Sequence, residues 1–301
     1  MRHGTSLIWG LIIVLAIALG AYFIVRAPEV SAPSGTTATE SAPKTVTFYC
    51  GSGNTMQADF ATSSVALAFS DGTNLTLPQT MSGSGIRYEA TSTGSDLLFT
   101  GKGDTGSFTD SASTTDLRYA TCLAADVAAS DAPGYDTYEN LGKSFTFSFP
   151  TDFEVTGVAP GYGPGWSAPA TTTGMVLAKI YVPQSYEPGT NFGDAWFTVG
   201  ASGDPQAVAD CTKDLAGNQA SSSPVTIGDT TFTKLLFGGA GAGNRYDTTS
   251  YRAVRDGQCY AIEYTVHYGV LENYPKGAVQ AFDEAKITSA LDEVAKSFQF
   301  K

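Results

Sequence analysis

Histidine is nearly missing from this chain, and cysteine, methionine and tryptophan are sparse. Its 301 residues hold two histidines, four cysteines, four methionines and three tryptophans. Only His3 and His267 are available to imidazole chemistry, so a Ser-His-Asp triad would have to recruit His267. That residue lies in the alternating run Tyr264-Thr-Val-His-Tyr268 and reads as a structural or surface side chain. No Gly-x-Ser-x-Gly elbow is present to carry a nucleophile. No cysteines have the close Cys-x-x-Cys spacing of zinc sites, so neither metal nor cofactor is expected. Positive charge is short too: 17 Lys+Arg stand against 29 Asp+Glu, a formal net charge of −12. Nucleic acid rewards a basic patch and is excluded as a partner. A basic protein partner would be attracted, with more effect on association rate than on affinity.

The glycines of Gly238–Asn244 do not form Gly-x-Gly-x-x-Gly, and no apolar helix follows them. They read as a hairpin connection, not a phosphate loop. Carboxylates are plentiful, but nothing picks out a pair for glycoside hydrolysis. No enzymatic activity is read from the chain.

Long apolar runs are absent but for one. Leu7 to Val25 carries no charge. At 1.5 Å per residue it is about long enough for a helix across the ~30 Å hydrocarbon core. Arg2 precedes it, and Arg26 then Glu29 follow. The slight positive-inside bias favours a cytoplasmic N-terminus with the remainder exported to the periplasm or cell surface. The apolar region is long for a cleaved signal peptide and lacks a clean small-x-small site after it, so residues 1–26 are expected to be an uncleaved transmembrane anchor. Residues 27–44, rich in Ala, Pro, Ser, Thr and Glu, cannot bury enough apolar surface to fold and read as a tether.

What is abundant points to strands. Charged residues are only 15% of the chain, glycine numbers 33 and aromatics reach 12%, a profile of short strands with many turns. Residues 45–123 read as one small domain. Alternation or short apolar runs predict strands at 46–50, 57–60, 65–69, 74–77, 86–90, 96–100, 107–110 and 117–122. About eight antiparallel strands in so few residues suggest a small closed β-barrel. Cys50 and Cys122 fall on its first and last strands. Four cysteines allow three pairings, of which the domain boundary favours Cys50–Cys122 and Cys211–Cys259.

Two segments of this domain carry the candidate chemistry. Met81-Ser-Gly-Ser-Gly-Ile-Arg-Tyr88 is a glycine-spaced loop that ends in a strand, and Phe99-Thr-Gly-Lys-Gly-Asp104 holds a lysine between two glycines. Glycines at this spacing let backbone turn sharply and approach another surface closely. The side chains left to make contact are Ser82, Ser84 and Lys102. Small hydroxyls beside a lone cation suit a narrow cleft lined with carboxylates.

Val46 to Cys122, about a quarter of the chain, resembles the MliC/PliC family of inhibitors of c-type lysozyme. The resemblance rests on Phe48-Tyr49-Cys50, Asp71-Gly72, Leu77-Pro78, the Ser-Gly-x-Gly-x-x-Tyr pattern at Ser82, Gly83, Gly85 and Tyr88, Lys102-Gly103 and the closing Cys122. One departure is that Gly101 separates Thr100 from Lys102, where the family commonly has Thr-Lys-Gly. The resemblance implies a non-enzymatic inhibitor whose partner is a c-type lysozyme, bound through Ser82, Gly83, Ser84, Gly85, Arg87, Tyr88, Lys102 and Gly103. It points to a serine of the loop without choosing between Ser82 and Ser84. Arg87 and Tyr88 are expected to brace the loop, Tyr88 by packing into the barrel.

Residues 124–134, small and carrying Asp126 and Asp131, read as a linker. Residues 135–301 read as an α+β domain: an antiparallel sheet with a C-terminal helix. Phe145, Phe147 and Phe149 alternate with polar residues, which is a strand with one aromatic face. Further strands are predicted at 175–182, 195–199, 230–237, 246–254 and 258–267. Asp204 and Pro205 can cap and open a short helix. The apolar stripe of 278–297 predicts a longer one, followed by a short strand at Phe298-Gln-Phe300. The opening Gly142-Lys-Ser-Phe-Thr-Phe-Ser-Phe-Pro150 and the helix-then-Ser-Phe-x-Phe ending are similar to PsbP-like sandwich domains. The sequence assigns this domain no activity. The rival functional reading is a cell-envelope binding module that reuses the barrel as a scaffold, with this domain doing the binding.

Overall fold

In the first strand, β1 (Lys44–Tyr49), Val46 and Phe48 point inward while Thr45 and Thr47 face out, so the period-2 pattern fixes which side is core. The computed structural model describes residues 44–92, 94–113, 117–142, 144–157, 174–213 and 222–301. The apolar run expected to cross a membrane lies outside them, and among the described residues no helix is long and apolar enough to do so. The strands that follow β1 are β2 (Thr55–Phe60), β3 (Ser64–Phe69), β4 (Asn74–Pro78), β5 (Ile86–Ser92), β6 (Ser95–Lys102), β7 (Thr105–Asp110) and β8 (Cys122–Ala129). Their inward residues, among them Met56, Leu67, Tyr88 and Phe99, form one core. Phe48 meets Phe99 edge-on at 5.7 Å. Gly106 makes room for it, since a Cβ there would lie 2.5 Å from the Phe48 ring.

The expected closed barrel is corrected. The strands run β4-β3-β2-β1-β8 on one side and β5-β6-β7-β8 on the other, and no strand ladder joins β4 to β5. An isolated bridge, Gln79 to Tyr88, and one bond from the Thr80 amide to the Arg87 carbonyl (2.9 Å) span that gap. Pro78 ends β4 without an N–H to donate, so the contact with β5 is left to the two residues after it. The strand expected at 117–122 begins only at Cys122. Before it, Tyr119 packs on Phe69 at 4.7 Å and its carbonyl accepts from the Phe108 amide, which holds a turn.

The linker expected at 124–134 is also corrected: β8 continues through Ala129. Ala124 belongs to the first core and Ala125 to the second, so adjacent alanines on one strand serve opposite sides. Both are buried completely, one in each core. Beyond Ala124, β8 has left β1 and β7 and pairs with β9 (Tyr135–Asn140). Next come β10 (Phe145–Pro150), β11 (Glu154–Val155), β12 (Met175–Val182), β13 (Phe192–Ser202), helix α1 (Pro205–Ala209), β14 (Ser222–Ile227), β15 (Thr230–Gly241), β16 (Asn244–Arg255), β17 (Gln258–Gly269), helix α2 (Glu284–Lys296) and β18 (Gln299–Phe300). The second sheet has the order β11-β12-β13-β17-β16-β15-β14. Its inner face, with Ile180, Phe197 and Ile262, closes on Tyr138, Phe145 and Phe147 of β9 and β10 and on Ile287, Leu291 and Val294 of α2.

Local chemistry explains the elements. Asp204 caps α1, accepting from the Gln206 amide at 2.8 Å with Pro205 at the first position. The predicted helix over 278–297 starts only at Glu284, because Asn191 holds the residues before it: its Oδ1 accepts the Phe282 amide at 3.0 Å. Pro224 sits in β14, an edge strand, where its missing N–H costs nothing. Gly238–Asn244 lies in the β15–β16 hairpin, with Ala242 and Gly243 both at positive φ in a two-residue turn. Disulfides join Cys50 to Cys122 and Cys211 to Cys259. The first closes 72 residues of chain and stabilises by roughly 2–4 kcal/mol.

Candidate functional site

The register of β5 against β6 brings the serine loop and the lysine turn together. Ile86 pairs with Gly101 and Arg87 with Thr100, so the residues just before β5 lie beside those that end β6. Gly85 enters that pairing at φ +74°, and a Cβ on it would sit 2.3 Å from the Gly101 carbonyl oxygen. Only glycine meets both demands. Gly85→Ala is expected to cost about 1–3 kcal/mol in urea unfolding and to lift the loop from β6.

Within the loop, the Ser82 hydroxyl donates to the Ser84 carbonyl (2.8 Å) and accepts from the Ser84 amide (3.3 Å). Ser82 therefore shapes the loop, while the Ser84 side chain, also exposed, makes no hydrogen bond among the described residues. In the lysine turn, Gly103 takes φ +58° and the Thr105 hydroxyl donates to the Lys102 carbonyl at 2.8 Å. Lys102 is exposed and forms no ion pair among the described residues. Loop and turn border a cleft of about 600 Å³ that also touches Ile86, Arg87 and Gly106.

Arg87 and Tyr88 lie in different surroundings. Tyr88 is buried against Phe60 and Phe99, with ring centroids at 6.0 and 6.2 Å, and burial pushes its hydroxyl pKa up. Arg87 reaches Glu89 through Nη2 (2.6 Å) and Nε (3.1 Å). That hydrogen bond holds the Glu89 carboxyl below its ordinary range. Missed by sequence reasoning was Asp104, which follows the lysine turn and accepts from the Asn140 side chain. The partner lies 36 residues on, too far for any local pattern to reveal.

The C-terminal part places His267 in a closed set of contacts. Its Nδ1 lies 3.0 Å from Asp194 Oδ1, its Nε2 3.1 Å from Asn244 Oδ1, and its ring stacks on Tyr246 at 4.7 Å. No group of three or more His, Cys, Asp and Glu side chains is placed to hold a metal among the described residues. A second cleft of about 310 Å³ lies between α2 and the sheet, where the Tyr268 hydroxyl donates to Asp247 at 2.7 Å.

Residues 48–116 match the model of a protein family described as membrane-bound lysozyme-inhibitor of c-type lysozyme. No curated protein matches the chain. Solved structures similar to it include these two. One is a protein from Bacteroides thetaiotaomicron VPI-5482, 14% identical with a TM-score of 0.32, covering 55% of this chain and 48% of that one. The chain thus spans about half the length of that protein. The other is cyanobacterial PsbP (CyanoP) from Synechocystis sp. PCC 6803, 10% identical with a TM-score of 0.33, covering 58% of this chain and 98% of that one.

Proposed function

We propose that this protein inhibits a c-type lysozyme by presenting Lys102 and the Ser82–Gly85 loop to the enzyme's active-site cleft. The observation that carries this reading is the shared position of loop and turn beside one cleft, within the stretch that matches the lysozyme-inhibitor family. A retaining glycosidase holds its two catalytic carboxyl groups only about 5 Å apart. One ammonium, with three donors on a flexible stem, can meet both. Its charge lowers the pKa of the general acid, which then no longer holds the proton it must deliver. The uncommitted Ser84 hydroxyl adds a hydrogen bond beside it, while Ser82 keeps the loop's shape.

A formal net charge of −12 draws a basic lysozyme toward the molecule and speeds association. In this reading the apolar run Leu7 to Val25 anchors the chain in the membrane, and the residues between it and β1 tether the folded part outside the cytoplasm. The reading is tested by titrating the full oxidised chain into a basic c-type lysozyme acting on cell walls. Lysis is expected to stop near one inhibitor per enzyme. Undiminished lysis at a large excess would sink the proposal.

A further inference from the structure

The lysine turn is gripped from β8 and β9. The Asp104 carbonyl accepts from the Ala124 amide on β8 at 2.7 Å. Its carboxylate Oδ2 accepts from Asn140 Nδ2, at the end of β9, at 2.9 Å. Asn140 is 2% exposed, and its own oxygen is fully engaged. Oδ1 accepts from the Ser144 amide (2.9 Å), the Phe145 amide (3.0 Å) and the Ser144 hydroxyl (3.3 Å). Those backbone donors fix which way the amide points, so its NH₂ has to face Asp104. The slot is tight, since a Cβ on Gly142 would lie 3.3 Å from Asn140 Nδ2.

We propose that Asn140 is a positioning residue for inhibition: its buried amide, through Asp104, sets the direction in which the turn presents Lys102. This rests on the lysozyme-inhibitor reading and extends it, because it gives the otherwise unassigned domain that begins with β9 a part in the contact. A lysine on a held turn loses less freedom when it docks than one on a mobile turn.

The test measures lysozyme inhibition constants for the full chain and four variants, with thermal unfolding in parallel. Asp104→Ala removes the acceptor from a half-buried turn, and Asn140→Asp sets two carboxylates against each other. Each is expected to weaken inhibition at least tenfold while the protein stays folded at the assay temperature. Asp104→Asn keeps an oxygen for the Asn140 amide and is expected to stay within threefold of the unaltered chain. Combining Asp104→Asn with Asn140→Asp exchanges amide and carboxylate and is expected to restore inhibition to the same range. Full inhibition by Asp104→Ala, or no recovery in the combined variant, overturns the proposal. If the unaltered chain does not inhibit, the lysozyme reading itself has failed and this one falls with it, so the two failures are told apart by that first measurement.

Discussion

Lys102→Ala is expected to weaken lysozyme inhibition by at least a factor of ten, or about 1.4 kcal/mol. The loss can be larger, because stripping one partner from a desolvated charge pair costs about 2–5 kcal/mol. Lys102 contributes little to the fold itself: it is exposed and makes no ion pair among the described residues. Its removal is therefore expected to change stability by no more than about 0.5 kcal/mol, as at other surface positions. Binding and stability thus separate cleanly in one variant. Lys102→Arg adds a sharper test, since a planar guanidinium places its donors differently from a compact ammonium and is expected to recover inhibition only in part. If the alanine variant inhibits as well as the original chain, the lysine is not the plug.

Phe147→Ala is expected to lower stability by about 3–5 kcal/mol, the usual cost of emptying an aromatic core position. Phe147 is 1% exposed. Its ring stacks on Tyr138 at 4.8 Å and meets Phe197 of the second sheet at 5.0 Å. Total stabilities run about 5–15 kcal/mol, so this variant sits near the edge of folding. The effect should not stay in the C-terminal part. β8 runs unbroken from the first core into the second, and the Gly157 amide donates to the Cys50 carbonyl at 3.0 Å, beside the first disulfide. A single cooperative urea transition is expected, with inhibition lost at the same midpoint as tryptophan fluorescence. Two separate midpoints would show that the halves unfold independently.

Much of this arrangement was legible in the sequence. The alternation of Phe145, Phe147 and Phe149 marks β10 and its core face, and the Asp204-Pro205 pair marks the start of α1. The first seven strands follow their apolar runs to within a few residues. Both cysteine pairings follow from the division between the two halves. The glycine spacing marked both halves of the candidate site, and the structure lays them side by side. What the sequence could not show depends on distant neighbours. Ala124 and Ala125 look like linker residues until two cores are present to press on them. β9 carries Asp, Glu and Asn and has no clear alternation, yet Tyr138 within it is fully buried. The barrel fails to close for a similar reason: whether β4 meets β5 is settled by the path of residues 79–85, not by the strands themselves.

The two alanines of β8 also bear on how such a protein can change over generations. Side chains alternate along a strand, so gaining or losing one residue there would turn every later side chain to the opposite face. Ala125 would then look into the first core, and Asp126 would take the place of Val127 on the side of the second core. A recombination event that swaps either half for a homologous piece has to preserve this strand to the residue. The seam tolerant of insertion lies elsewhere, at exposed turns such as the one around Gly134, where an added residue disturbs neither core.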